Sequence, residues 1–364
     1  FRVNWLRKRC LFFLYANRML KMLRTIIRQL AMIAWTLGLL IQAQSSFSQP
    51  DAQPTAQLMV KKVLLIGLDG LMYSYIDDVD DPELDEPTLT HFPKFALTKA
   101  FVGGYLNTAS HQISSSGPSW TSILTGTWAD QHGVVSNNGA HAAVPGIFSR
   151  LHTRNPALNF GSFSAWSDIN TGHLVKDMAF VKRRVDGASR PEELSVDEFV
   201  TRAVIEELSD QESDLDFVFL HLDEIDGAGH DCGWCTLYGE TLSATDARIG
   251  RLLEVISDRE QSHSEQWLVM LVADHGHRKS GGHGGDSVVE RASFIGVNKP
   301  AQMNNLFFEP RPALELSDDE ASNGLMGYPG VTSVVPTIME YLGYPARSED
   351  GFPAPALLNG SGSL

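Results

Sequence analysis

Three continuous apolar runs, the helical patterns between them and the carboxylate that closes each run together predict an α/β domain with a largely parallel central sheet. The runs are 62–68 (KVLLIGL), 216–222 (DFVFLHL) and 267–273 (WLVMLVA). Runs of this length and composition read as strands buried on both faces. They end at Asp69, Asp223 and Asp274, and the carboxyl edge of an open α/β sheet is where ligands bind. Helical patterns cover roughly 118–126, 195–209 and 239–258. The last of these repeats Leu242, Ile249, Leu252, Leu253 and Ile256 near the helical period. The acidic stretch 77–86 reads as a solvated loop, with a metal-binding loop as the alternative. Residues 300–330 lack periodicity and read as a long surface excursion.

Composition bounds the rest. With 364 residues and 43% hydrophobic content the chain can bury a large core, which excludes wholesale disorder. Three cysteines exclude a disulfide-dense scaffold. A net charge of −15 argues against nucleic-acid binding, which needs a basic face. The charge is unevenly spread: residues 1–50 hold eight Lys/Arg and no Asp or Glu, so the remainder is more acidic still. Residues 22–45 have a basic start, an apolar run over 30–41 and then small and polar residues, the order of a secretory signal peptide. The run is short of the roughly 20 residues a membrane span needs, so no stable span is expected once the signal is cleaved. A retained anchor is the alternative. Because the sequence opens on Phe1, residues 1–21 read as an upstream extension, with Met19 or Met22 as the start. Residues 51–60 read as a flexible linker and 61–364 as one catalytic domain, exported to the periplasm or secreted. In an oxidising compartment Cys232 and Cys235 can close a tight disulfide; free thiols and metal ligation are the other readings.

Two clusters carry the chemistry. Asp226 and His230 lie four residues apart in a Gly-rich turn, and Asp274-His275-Gly276-His277 is followed by Gly281-Gly-His283-Gly-Gly-Asp286. Mixed Asp/His donors suit zinc or a similar divalent ion, and a pair of such ions can clamp a phosphoryl group. The segment 114–126 (SSSGPSWTSILTG) places Ser116 just before a helix that Pro118 starts, where free amides favour an anion. A serine hydroxyl becomes a nucleophile when a metal holds it ionised. The plain alternative is an N-cap serine.

In order, Asp69, Ser-x-Pro with Thr125-Gly126 and His132-Gly133 downstream, Asp-x-x-x-His and Asp-His-Gly resemble the alkaline phosphatase superfamily. Within it, the chain resembles the type I phosphodiesterase/nucleotide pyrophosphatase family over about 61–345. The resemblance implies a sheet with helices on both faces, two zinc ions and a small-molecule phosphate ester substrate cleaved through a phosphoseryl intermediate. It implies one ion on Asp69, the nucleophile Ser116, Asp274 and His275. It implies the other on Asp226, His230 and a further histidine, His283, with His277 as the alternative. Asn137, with the Gly117 amide, is expected to bind the substrate's phosphoryl oxygens.

The chain departs from the pattern in having Ser rather than Thr as nucleophile, and in the closeness of His283 to Asp274. A sulfatase is the competing reading, but Trp120 stands where sulfatases carry Arg, and the first strand ends in one Asp rather than two. Phosphate monoesters and phosphonates are alternative substrates. The loops 139–190 and 300–330 are expected to choose the leaving group. Phe163, Trp166 and Trp128 could stack on an aromatic one or simply pack. The oligomeric state is open.

Overall fold

The computed structural model describes residues 59–76, 89–138, 140–310, 325 and 327–359. The leader and most of the linker, the acidic stretch 77–86 and part of 300–330 lie outside the described residues. Within them, seven strands form one sheet: β1 (Val60–Leu68), β2 (Ala96–Phe101), β3 (Phe160–Ser164), β4 (Arg183–Asp186), β5 (Phe217–Leu222), β6 (Glu265–Ala273) and β7 (Ala292–Val297), in the order β2-β7-β6-β1-β5-β3-β4. β1 runs parallel to β5 and β6, and β3 parallel to β5 and β4. Only β7 is reversed, against β6 and β2. The three apolar runs are thus the three central strands.

Of the four strands without a clear sequence signal, β2, β3 and β4 have physical reasons to be quiet. β4 is four residues long and exposed at its start, and β2 carries Lys99 on the opposite edge. β3 (FGSFS) is fully buried, yet two of its five residues are serines. Ser162 donates to Asn170 Oδ1 and Ser164 to the Trp166 carbonyl, so the hydroxyls are buried without being unsatisfied.

Alternation along β1 splits the core. Val63 and Leu65 face a layer formed by α1 (Ser116–Thr125), α2 (Ile147–Arg154) and α6 (Val334–Tyr341). Leu64, Ile66 and Leu68 face α3 (Val196–Ser209) and α5 (Thr236–Ser262). Helices therefore cover both faces, and each of these aliphatic side chains contributes about 1.5–3 kcal/mol by leaving water. No helix among the described residues is long and apolar enough to cross a membrane. The stretch 300–330 is less peripheral than its sequence suggests: Met303, Phe307, Leu325 and Tyr328 are buried in the first core layer. Aperiodic anchors of this kind leave no pattern to read.

Helix α1 is held in place at its far end. Its C-cap, Gly126, is left-handed at φ 72°, a conformation that favours glycine. The Val134 amide donates to His132 Nδ1 at 3.0 Å, which leaves Nε2 as the donor to Ser122 Oγ, also at 3.0 Å; Ser122 in turn donates to Gln112 Oε1. Burial pushes the His132 pKa down from 6.5 to about 3, so the folded ring stays neutral. A depressed imidazole pKa means that the unfolded chain binds the proton first, so stability falls as pH drops from about 6.5 towards 3. At pH 5 this amounts to about 2 kcal/mol. Between pH 7 and pH 5 the metal-free protein should lose more Tm than its His132→Gln variant, which has nothing to protonate there; equal losses would show that the ring is not held neutral.

Candidate active site and metal centre

Strand register builds the site. Leu68 lies opposite Leu222 on one side and Ala273 on the other, so Asp69, Asp223 and Asp274 emerge side by side at one sheet edge. Backbone bonds keep them there: the Asp69 amide donates to the Leu222 carbonyl at 2.9 Å, and the Gly70 amide donates to Asp274 Oδ1 at 3.0 Å. From β5 the chain turns directly into α4 (Glu224–Cys232), which carries Asp226 and His230 one helical turn apart. Gly229 in α4 permits the approach of His277, whose Nε2 would lie 2.5 Å from a Cβ at that position.

The first cluster is Asp69, Asp274 and His275, whose ligand atoms lie within 4.8 Å of one another. All three are fully buried. Ser116, the first residue of α1, joins them: its Oγ is 3.4 Å from Asp69 Oδ1 and 3.3 Å from His275 Nε2. It enters the helix itself, with Ser115 before it as the cap. Burial, and then the Asp226 charge, raises the Asp69 pKa well above the ordinary carboxylate range. Burial followed by Asp69 does the same to Asp274, whose Oδ2 is buried without a hydrogen-bond partner, with His275 Nε2 3.2 Å away. Burial and the neighbouring His283 lower His275, so its imidazole is neutral. Two dehydrated carboxylates, an orphaned oxygen and a neutral imidazole together fit a divalent cation, which supplies the missing positive charge.

The second cluster is Asp226, His230 and His283, again within 4.8 Å. Asp226 Oδ2 is 3.4 Å from His230 Nε2, and Asp226 Oδ1 is 3.5 Å from His283 Nε2. His283 Nδ1 donates to the Ser114 carbonyl at 3.0 Å, which assigns its free lone pair to Nε2, 3.0 Å from His230 Nε2. A carboxylate and two convergent imidazole nitrogens suit a second cation. The structure brings both candidate histidines to Asp226. His277 also reaches Oδ1, at 2.8 Å, and forms an alternative group with Asp226 and His275. Burial works against the Asp226 charge, but the hydrogen bond from His277, with the electrostatics of the surrounding histidine rings, outweighs it and holds Asp226 below the usual carboxylate range.

Asn137 is at the site, with its Oδ1 accepting from the Gly117 amide at 2.8 Å. This corrects one expectation: the Gly117 N–H is already engaged and orients Asn137 rather than being aimed at a ligand. Glycine is needed at 117 because a Cβ there would meet the Ser136 carbonyl at 2.7 Å. Of the three proposed stacking residues, Phe163 is fully buried in β3 and Trp128 packs on Phe101, so neither can reach a ligand; Trp166 is half-buried. The structure closes Cys232 and Cys235 into a disulfide, and no metal-compatible group among the described residues includes them. The turn between them grips the Asp274 loop through Trp234 Nε1, which donates to the His277 carbonyl at 2.9 Å.

Sequence reasoning passed over His221, and it named Trp120 and Asp223 without giving them a place in the site. Trp120 and His221 both donate to Asp69 Oδ2, at 2.7 and 2.9 Å. Half-buried Asp223 adjoins them, its pKa raised to about 7 by burial and the Asp69 charge. The one available signal was a histidine inside the otherwise apolar run 217–222.

A family model described as type I phosphodiesterase / nucleotide pyrophosphatase matches residues 63–295. The GPI ethanolamine phosphate transferase 2 of Schizosaccharomyces pombe is 30% identical over 131 residues, which span 36% of this chain and 17% of that protein. Among solved structures, BT1596, a 2-O GAG sulfatase, superimposes with a TM-score of 0.52 at 13% identity, covering 79% of this chain and 72% of its own. Ps i-CgsB gives 0.51 at 13% identity, covering 82% and 75%. Murine ectonucleotide pyrophosphatase / phosphodiesterase 5 is 20% identical over 59% of this chain and 57% of its own, with a TM-score of 0.42. The sulfatase and Ps i-CgsB share the fold.

If His283 completes the second cluster, His283→Ala lowers tightly held zinc from two ions per chain to one, measured by elemental analysis after dialysis. His277→Ala should then retain two, and the reverse pattern would assign the site to His277.

Proposed function

Since the chain belongs to the type I phosphodiesterase / nucleotide pyrophosphatase family, with the phosphoester hydrolase or transferase chemistry of the alkaline phosphatase superfamily, we propose that it is an exported hydrolase of small phosphate esters that works through a phosphoseryl intermediate at a two-zinc centre. One observation carries the reading: Ser116 Oγ sits at the start of α1, within 3.4 Å of Asp69 and 3.3 Å of His275, beside the buried Asp274.

Asp69, Asp274, His275 and Ser116 would hold one cation, and Asp226, His230 and His283 the other. When bound, the cations supply the positive charge that favours ionised Ser116 and a departing oxyanion. The Ser116 hydroxyl gives up its proton to solvent and Oγ attacks phosphorus in line; its bond to phosphorus forms as the bond to the leaving oxygen breaks, and that oxygen takes up a proton from solvent. Water then attacks the phosphoseryl group, releasing phosphate or a phosphomonoester and restoring the Ser116 hydroxyl. The Asn137 amide, oriented by Gly117, donates to a non-bridging oxygen whose charge grows in the transition state. The positive end of the α1 dipole favours the same charge. Local charge thus lets a strongly acidic protein take an anionic substrate.

A transferase variant of the reaction, with an alcohol in place of the second water, is the alternative suggested by the fungal relative. A sulfatase reading would require Ser116 to be converted to formylglycine.

The decisive experiment is a panel of aryl monoester, aryl diester, phosphonate and aryl sulfate assayed on zinc-reconstituted protein. Hydrolysis of the diester or monoester without the sulfate is expected; sulfate turnover with a mass loss at Ser116 would overturn the reading. Ser116→Ala should lower kcat by about 10⁴-fold or more while both zinc ions stay bound. Asn137→Ala should cost about 10²–10³-fold in kcat with little change in KM, as expected for a donor that acts mainly in the transition state.

A further inference from the structure

We infer that Trp120 and His221 are positioning residues: together they clamp Asp69 Oδ2, so that Oδ1 alone is offered to the cation beside Ser116. The inference rests on Asp69 being a metal ligand, as proposed above. Trp120 Nε1 donates to Asp69 Oδ2 at 2.7 Å and His221 Nε2 donates to the same oxygen at 2.9 Å. The Trp166 amide donates to His221 Nδ1 at 3.4 Å, which leaves the ring proton on Nε2. Oδ1 receives neither clamp and faces Ser116 Oγ and His275 Nε2.

The surroundings are shaped for this contact. Ser116 and Trp120 are four residues apart on α1 and share a helix face. A single turn of helix therefore brings the hydroxyl to one oxygen of Asp69 and the indole to the other. His221 lies opposite Gly67 in the β1–β5 register, and a Cβ at Gly67 would meet the Trp120 ring at 2.4 Å. The slot that admits the indole thus exists because residue 67 is glycine. The Trp120 and His221 rings meet edge to face with centroids 4.8 Å apart, and both are fully buried. Without these donors the carboxylate is free to turn about its last side-chain bond and present either oxygen. With them, the ligand oxygen and the nucleophile share one fixed origin. Partners of this kind are worth about 10–100-fold in metal affinity or activity.

The test uses the full chain as wild type, Trp120→Phe, His221→Phe and His221→Gln, each titrated with Zn²⁺ against a competing chelator, with the metal-free Tm measured alongside. Trp120→Phe and His221→Phe should each weaken one of the two zinc ions by about 10–100-fold and leave the other unchanged. His221→Gln, whose amide restores an N–H near the lost one, should recover most of that affinity. A purely structural role would lower the metal-free Tm and leave both zinc affinities at the wild-type value, and that result overturns the clamp. Should Trp120→Phe fail to fold, the contrast between His221→Phe and His221→Gln decides by the same criterion. A wild-type chain that takes up no zinc would instead refute the two-zinc reading and the clamp with it.

Discussion

Asp69 and Asp274 are carboxylates held out of water at the same sheet edge, with Asp226 close enough to repel both. The imidazoles of His221 and His275 beside them are themselves pushed towards the neutral form by burial. Such an arrangement costs several kcal/mol per ion unless positive charge arrives. The fold pins these groups together through the parallel register of β1 with β5 and β6, in which a one-residue slip would exchange the side chains of β1 between the two core layers and draw Asp69 away from Asp223 and Asp274. The hydrogen bonds around the site fix single oxygens of these carboxylates: Asp274 Oδ1 accepts from the Gly70 amide, and Asp69 Oδ2 accepts from Trp120 and His221.

Helix α1 links the core to this centre. Its far end is locked by the buried His132, Ser122 and Gln112 network, its middle packs Ile123 and Leu124 into the core, and its near end presents Ser116. A hydroxyl at the first residue of a helix gains the positive end of the dipole. It gains accuracy from the packing behind it, since a displacement of α1 would move Ser116 and Trp120 together relative to Asp69. The second cluster is built differently. His230 is exposed on α4, and His283 comes from a Gly-rich loop tied to Ser114 and, through the Cys232–Cys235 turn, to the loop after β6. The rigid side carries Ser116, the proposed nucleophile, and the loop-built side places His230 in solvent.

The fungal relative, BT1596 and Ps i-CgsB share only parts or the outline of this chain, whereas the family match covers the strands and loops that hold every proposed ligand. Chemistry on this scaffold depends on the groups at the strand ends and on what replaces water in the second half-reaction. Trp120 is informative in that respect. In the sequence it marked only the absence of a sulfatase arginine; in the structure the same side chain is bonded to Asp69.

The amino-acid sequence alone determined the central strands, the helices between them, the carboxylate at each strand end, Ser116, and both Asp/His clusters. These are local signals: apolar runs, a helical period, and polar residues next to glycine. Tertiary structure alone decided that His221 and Trp120 act on Asp69, that Gly117 serves Asn137, that Phe163 and Trp128 belong to the core, and that both His277 and His283 reach Asp226. Each of those facts is a meeting of residues far apart in the chain, and a sheet register or a glycine slot that permits such a meeting has no periodicity to betray it. The short strands β2, β3 and β4 were hidden for a related reason: their burial or edge position is set by neighbours, and their polar side chains are satisfied by partners that only the folded chain provides.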